Sequence, residues 1–351
     1  MSDNKLRTLI FAAVTVVIIL SGWLCDDAYH GFVMAKHLVE GNGFVYNIGE
    51  RVNASTCPLF TLIIAGIYAL FGRGMYIIGI GTCVIFSVLC VYMLLYKTCR
   101  TRGDLIFITL ILCSKSFISY STSGLENSLL FALGMLFFLV MFKSESYSGG
   151  ELFILSFLAG LIALTRMDNI LIYLPFLIYC FIVRKNKIGR LPAFFIGFAG
   201  VLPFIAWEIF SLFYYGFLFP NTAYIKLGTM ISLRLYIRKG IEYVIASFAM
   251  DPAVIIIPVA YIFIALLMCR DIRHKLLSLG TALYIIYVIR IGGDFMSGRH
   301  FTVIYILSSA AVVMILRENI IKFDIKRASK ILVVCMMYAV TIGNLLDSVV
   351  K

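Results

Sequence analysis

Two adjacent carboxylates, Asp26-Asp27, stand directly behind a long apolar run. An acid at the edge of an apolar medium is a candidate general base, because partial desolvation raises its proton affinity. The competing reading is local. An Asp at a helix start caps backbone N–H groups, and Ala28, Phe32, Ala35 and Val39 recur at helical spacing until Glu40-Gly41-Asn42-Gly43 stops them. One Asp suffices for a cap, which leaves the other for chemistry. Four more polar segments follow. Ser123-Gly124-Leu125-Glu126 puts a lone acid before an apolar run, where complementing a helix dipole is the plain alternative. Thr165-Arg166-Met167-Asp168 is a tight turn whose charges could pair with each other or with headgroups. Pro220-Asn221-Thr222-Ala223-Tyr224-Ile225-Lys226 adds a cation. The stretch from Gly292 to His300 has three glycines, which let backbone approach a ligand. It ends on Arg299 and His300 at a helix start, where an anion also meets the dipole. Headgroup snorkelling is the alternative for an isolated Arg. Acids to activate an acceptor and cations to hold a phosphate leaving group are what transfer of a group from an anionic lipid requires.

The elements that position these residues follow from composition. Hydrophobic residues make up 62% of the 351 and charged ones 14%, against about 25% charged in soluble domains. Such a chain cannot cover itself with polar side chains, which excludes a soluble enzyme. The dominance of Leu, Ile, Val and Phe excludes disorder. Long unbroken apolar runs exclude a β-barrel, whose strands alternate. The net charge of +12 is held in short clusters between apolar runs; that is the pattern of cytoplasmic loops, not of a groove for nucleic acid. Of the nine cysteines, none forms a C-x-x-C pair, and seven lie in or beside apolar runs. Cys25 and Cys57 share one polar loop, and two free thiols are favoured there over a disulfide. No His/Cys spacing supports zinc; whether a divalent cation sits at the acids stays open. The first run, 6–24, has no small-x-small cleavage site and reads as a retained helix.

Apolar runs lie at 6–24, 75–96, 105–120, 128–142, 151–164, 169–183, 191–214, 252–269, 276–291, 301–316 and 331–348. The run at 57–71 is short enough to be interfacial. If it does not cross, the inner loops hold Lys5 and Arg7; Lys97, Arg100 and Arg102; Lys143; Arg184, Lys185, Lys187 and Arg190; Arg270, Arg273 and Lys275; and Arg317, Lys322, Lys326, Arg327 and Lys330. If it does cross, most of these clusters land outside, against the positive-inside bias. The expectation is therefore an all-α polytopic membrane protein with about eleven transmembrane helices and interfacial helices in the first outer loop, 25–74. It is expected to be a single membrane-embedded domain over 1–351, without a C-terminal soluble domain. The polar segments 25–56, 121–127, 165–168, 215–251 and 292–300 then face outward.

Asp26-Asp27-Ala28-Tyr29, the stretch Leu38 to Val52 and Pro58-Leu59 resemble the first outer loop of GT-C membrane glycosyltransferases, in the branch that includes mycobacterial terminal arabinofuranosyltransferases. Ser123-Gly124-Leu125-Glu126, Thr165-Arg166-x-Asp168, Pro220-Asn221-Thr222-x-Tyr224-x-Lys226 and Gly292-Gly293-Asp294-Phe295-Met296-x-Gly298-Arg299 resemble further blocks in the same order. The resemblance implies the GT-C fold and a polyprenyl-phosphate-linked sugar donor. It also implies transfer to a glycan, lipid or protein acceptor on the outer face of the cytoplasmic membrane. On that reading Asp26, favoured over Asp27, is the base of an inverting reaction. Glu126 and Asp168 orient the acceptor or an ion, and Arg299, His300, Lys226 and Arg166 hold the donor phosphate. Tyr29, Asn221, Gly293 and Asp294 support the loops. The rival classes are a transporter or flippase for a glycolipid, against which the acids other than Glu208, inside the run 191–214, cluster at one face rather than mid-helix, and an inactive scaffolding relative.

Overall fold

The computed structural model describes residues 3–143, 148–227 and 232–317. The run expected at 331–348 and the basic residues Lys322, Lys326, Arg327 and Lys330 lie outside the described residues. Every regular element among those described is helical, as a backbone in lipid must be when it cannot close into a barrel.

In chain order, α1 (Asp3–Leu20) is followed by α2 (Asp26–Val39) and α3 (Pro58–Phe71). Helix α3 starts on Pro58 and stops on the left-handed Gly72. Its 14 residues reach only about 21 Å, short of the ~30 Å apolar core of a bilayer. Next, α4 (Met75–Tyr92) ends in a π-helical turn, Met93–Thr98. A capping box of Thr101 and Asp104 opens α5 (Arg102–Leu112), which precedes the short α6 (Lys115–Tyr120). Then come α7 (Asn127–Lys143) and α8 (Gly149–Thr165), the latter opened by a Ser148–Glu151 box. A 3₁₀ turn, Met167–Asn169, leads into α9 (Ile170–Ile188) and α10 (Arg190–Tyr215), which ends on left-handed Gly216. The remaining helices are α11 (Asn221–Leu227), α12 (Leu233–Met250), α13 (Ala253–Met268), α14 (Ile272–Arg290) and α15 (Phe301–Arg317).

Four stretches among the described residues are long and apolar enough to cross a membrane: 75–98, 167–184, α10 and α14. Helices α12 and α13, bent by 109° at Asp251-Pro252, make a fifth only if taken together. Helices α3, α7, α8 and α15 are apolar but shorter. The stretches long enough to cross are fewer than the apolar runs because several runs fall on helices shorter than 18 residues. The expected run at 105–120 is two helices, broken at Cys113-Ser114. The break has a physical cause: the buried Asp251 carboxylate accepts from Ser114 Oγ and from the Ser116 N–H, at 2.9 Å for the latter, supplying from outside the bonds that a continuous helix would make. The expected outer segment 215–251 contains two helices, α11 and α12.

The chain divides into two compact units. One comprises residues 1–18, 90–120 and 231–351. Its centre is α15, buried along nearly its whole length. Near the end of α15, Arg317 donates to Thr98 O at 2.6 Å and stands 3.5 Å from Asp104. Arg7 donates to Cys99 O at 3.0 Å, and Arg102 pairs with Asp3. Arg7 and Arg317, from two basic clusters that charge counting assigns to one face, thus converge on the carbonyls closing the π turn, beside the third cluster. At the other end, Tyr120 donates to Ser297 O at 2.8 Å.

The second unit comprises 19–89 and 121–230. Here α8 and α10 approach through small residues, the usual device where lipid gives no hydrophobic drive to association. A Cβ at Gly200 would stand 2.5 Å from Ser156 Cβ and 2.8 Å from backbone atoms of Phe153 and Phe157. The first loop is pinned to the end of α10. Phe44, Met34 and Tyr215 form a small core beside Trp207, Asn53 donates to Ser211 Oγ at 2.9 Å, and the Asn221 N–H donates to Asn53 O at 2.9 Å. Gly200→Val is expected to destabilise the protein by ~1–3 kcal/mol through overpacking. Thermal unfolding in detergent measures this, with the open Gly66→Ala as the control that moves little.

Candidate functional site

Two polar clusters collect most of the candidate residues, one within each unit. The first is built on the start of α2. Its N-cap is Cys25, in extended backbone, with no side-chain cap bond. Neither Asp is therefore the cap, and both stand in the first turn, where their charge complements the helix dipole. The Asp26 side chain is exposed, and its Oδ1 accepts from Cys25 Sγ at 3.0 Å and from the Asp27 N–H at 3.0 Å. These bonds, the thiol first, hold the Asp26 carboxyl below the ordinary carboxylate range. Burial, reinforced by the bond to Asp26, pushes the Cys25 thiol up to about 11, so it remains a donor at neutral pH. Cys25 and Cys57 are both free thiols.

The segment Ser121–Glu126 is laid against this helix start. The Cys25 N–H donates to Ser123 O at 2.9 Å, and Thr122 Oγ1 to Ser21 O at 3.1 Å. Gly124 has φ +76°, and a Cβ there would stand 2.7 Å from Leu24 and 2.8 Å from Ala28. The turn therefore needs glycine for both conformation and space. Glu126 is buried, with 1% of its side chain exposed, and meets Arg166 Nη1 at 3.1 Å. Arg166 also grips Asp168 with a fork, Nε to Oδ1 at 3.1 Å and Nη2 to Oδ2 at 2.9 Å. Asn169 adds a bond to Asp168 at 3.2 Å. One guanidinium thus joins two carboxylates from separate turns, a bidentate use that suits Arg and not Lys. Asp27 and Glu126 line a common cavity of about 20 Å³ with Gly31, Cys57 and Thr61, enough for roughly one water. Tyr29, half exposed on α2, packs on Tyr76 with ring centroids 5.3 Å apart.

The second cluster occupies the turn between α14 and α15. Gly292 and Gly293 have φ of +85° and +71°, and a Cβ at Gly293 would collide with the Tyr243 ring. Asp294 Oδ2 lies 3.2 Å from Arg299 Nη1 and 3.7 Å from His300 Nε2. His300 Nδ1 meets Tyr284 OH at 3.2 Å, and its backbone N–H donates to Tyr243 OH at 3.1 Å. Tyr243 in turn donates to Met296 O, and Ser247 Oγ accepts from the Gly298 N–H. Beside the turn, an open cleft of about 560 Å³ is bounded by α12, with Tyr236, Lys239 and Glu242, and by Asp294 and Phe295.

The structure thus gathers Asp26, Asp27, Glu126, Arg166 and Asp168 in one unit, and Gly293, Asp294, Arg299 and His300 in the other. Asn221 is tied to the first loop through Asn53, and Lys226 lies further along α11. Among the described residues no three His, Cys, Asp or Glu side chains converge as a metal site would require. Sequence reading did not single out Tyr243, Tyr284, Lys239 or Cys25 as partners. Cys25 carried a usable signal, a thiol adjacent to the acid pair; Tyr243 lay in a polar segment whose helical periodicity went unread.

Removing Arg166 leaves two carboxylates without their common counter-charge. Arg166→Met is expected to cost ~3–5 kcal/mol, read by thermal unfolding in detergent, and Arg166→Met with Glu126→Gln to recover part of the loss.

Residues 55–207 match the family described as dolichyl-phosphate-mannose-protein mannosyltransferase. Over 248 residues, 63% of the chain, it is 29% identical to a terminal beta-(1->2)-arabinofuranosyltransferase of Mycobacterium tuberculosis. The chain covers 38% of that relative's length.

Proposed function

From the mannosyltransferase-family match over residues 55–207 and the 29% identity to an arabinofuranosyltransferase, we propose that this chain is a GT-C glycosyltransferase of the arabinofuranosyltransferase-like branch and an inverting transferase. It moves a sugar from a polyprenyl-phosphate carrier to a glycan, lipid or protein hydroxyl on the outer face of the cytoplasmic membrane. The observation that carries the reading is the acid pair at the start of α2. Asp26 is exposed, ionised at neutral pH and held by Cys25 and the Asp27 N–H through one oxygen. Both of those bonds fall on Oδ1, so Oδ2 is the atom to accept a proton.

The acceptor hydroxyl loses its proton to Asp26 as its oxygen bonds to the anomeric carbon. The bond from that carbon to the phosphate oxygen breaks, and the anomeric centre inverts. Polyprenyl phosphate leaves as a stabilised anion and needs no strong acid. Asp27, beside Glu126 at the small cavity, orients the acceptor, and Glu126 and Asp168 do so through the charge they share with Arg166. The donor phosphate falls to cations. In the unit of Asp26 the candidates are Lys226 and Arg166; Arg299 and His300, held by Asp294, are the candidate cations of the 292–300 turn. Gly293 and Asn221 keep their turns in shape. A divalent cation at the acids is compatible with this scheme and is not required by it.

The test follows release of free polyprenyl phosphate from a labelled polyprenyl-phosphate sugar in membranes. Asp26→Asn is expected to lower the rate ~10²–10⁴-fold at normal expression; unchanged release in both Asp26→Asn and Asp27→Asn removes the assignment. Substrate movement across vesicles without turnover of lipid-linked sugar would instead support a transporter.

The pH profile gives a second test. Activity needs ionised Asp26, so kcat/KM should stay level from neutral pH downward and fall only below the ordinary carboxylate range. Cys25→Ala removes the main cause of the lowered pKa, so it should move this acid limb to higher pH. An unmoved limb would take the base role away from Asp26.

A further inference from the structure

Helix α12 differs from the apolar spans in having three distinct faces. Gly240, Tyr243 and Ser247 form its buried face. Ile237, Ile241, Ile245 and Phe248 form a second, each between 39% and 61% exposed. At 100° per residue these four fall within roughly an 80° arc. Lys239 stands opposite that arc, with Glu242 near it at 2.8 Å, on the side that lines the open cleft. Arg238 is exposed on the flank of the apolar stripe, and Arg234 is exposed within its arc, at the start of the helix.

The packing of α12 says where this stripe points. Gly240, at its middle, lies against the backbone of Ile289, and a Cβ there would collide with it. Ile289 is in the last turn of α14, one of the stretches long and apolar enough to span. A spanning helix ends where the apolar core ends, so α12 crosses α14 at a membrane boundary. Its axis is turned 109° from that of α13. If α13 runs along the membrane normal, α12 runs within about 20° of the membrane plane, a bilayer-surface geometry.

We infer that α12 is a bilayer-surface helix whose partner is the lipid itself. Ile237, Ile241, Ile245 and Phe248 insert among the acyl chains at headgroup depth. Arg234 and Arg238 reach the lipid phosphates beside them, keeping their stems on the apolar side. The face with Lys239 and Glu242 is thereby held toward water, and the cleft it lines opens at the lipid–water boundary. The inference rests on the packing of α12 and not on the reaction proposed above.

Depth measurement tests it in the full chain reconstituted into vesicles. The two native tryptophans are replaced by Phe (Trp23→Phe, Trp207→Phe), and single tryptophans are introduced by Ile237→Trp, Ile241→Trp and Ile245→Trp. Quenching by phospholipids brominated at different chain positions then gives the depth of each. A surface helix puts all three at one shallow depth, quenched best by bromines nearest the glycerol. A spanning helix would separate neighbouring positions by about 6 Å, and a graded depth overturns the inference. Absence of quenching at all three overturns it too, since the stripe would then face water or protein. Phe248→Trp, nearly isosteric, gives an independent reading should any Ile variant fail to elute as a monodisperse species.

Discussion

In a chain this apolar, an ionised group is stable only if it is paired or placed where a helix ends. The desolvation cost of a lone charge in hydrocarbon is several kcal/mol or more, well beyond what one side chain gains by packing. This constraint sorts the polar residues of the structure. Arg317 and Arg7 end on the carbonyls of Thr98 and Cys99 at the close of the π turn. Arg299 and His300 share Asp294. Arg166 answers two acids at once. Asp251, buried at the bend between α12 and α13, is matched by the Ser114 hydroxyl just before α6 and the Ser116 N–H within it.

The same constraint shapes the chemistry. Glu126 and Asp168 have spent their charge on Arg166, and that pairing fixes the turns carrying them. Asp26 has not: it is exposed, and the neighbouring Cys25 thiol and Asp27 amide are the main groups that hold it. A carboxylate stabilised by two donors is a weaker base than a desolvated one, but it is present in its basic form at every physiological pH. That suits a reaction whose leaving group is already a good one. The Gly124 turn is what lets Ser121–Glu126 approach the start of α2 closely enough for Asp27 and Glu126 to share a cavity.

Much of this was legible in particular residues. The pairing of Asp26 with Asp27 behind an apolar run marked the helix start, and the Glu40-Gly41 stop marked its end; α2 runs from Asp26 to Val39. The glycines at 292 and 293 announced a turn, and both have positive φ. The limits of α3 were close to those of the short run at 57–71. Span counting was less reliable. A run such as 105–120 reads as one helix because hydropathy does not register a carboxylate arriving from residue 251. Leu233–Met250 reads as a polar segment because its charges dilute an apolar stripe that only helical geometry reassembles.

Sequence by itself determined the solvent of this protein, the helical class of its backbone and the order of its polar segments, because each follows from composition or from periodicity within a few turns. Tertiary structure decided which polar residues meet. Arg166 reaches Glu126 across 40 residues, Tyr243 reaches His300 across 57, and Cys25, not an aspartate, takes the N-cap of α2. Those outcomes depend on helix crossing points and on where a missing Cβ lets backbones touch, as at Gly124, Gly200 and Gly240. Such contacts join segments far apart in the chain, and no local pattern specifies which of several distant partners will close the distance.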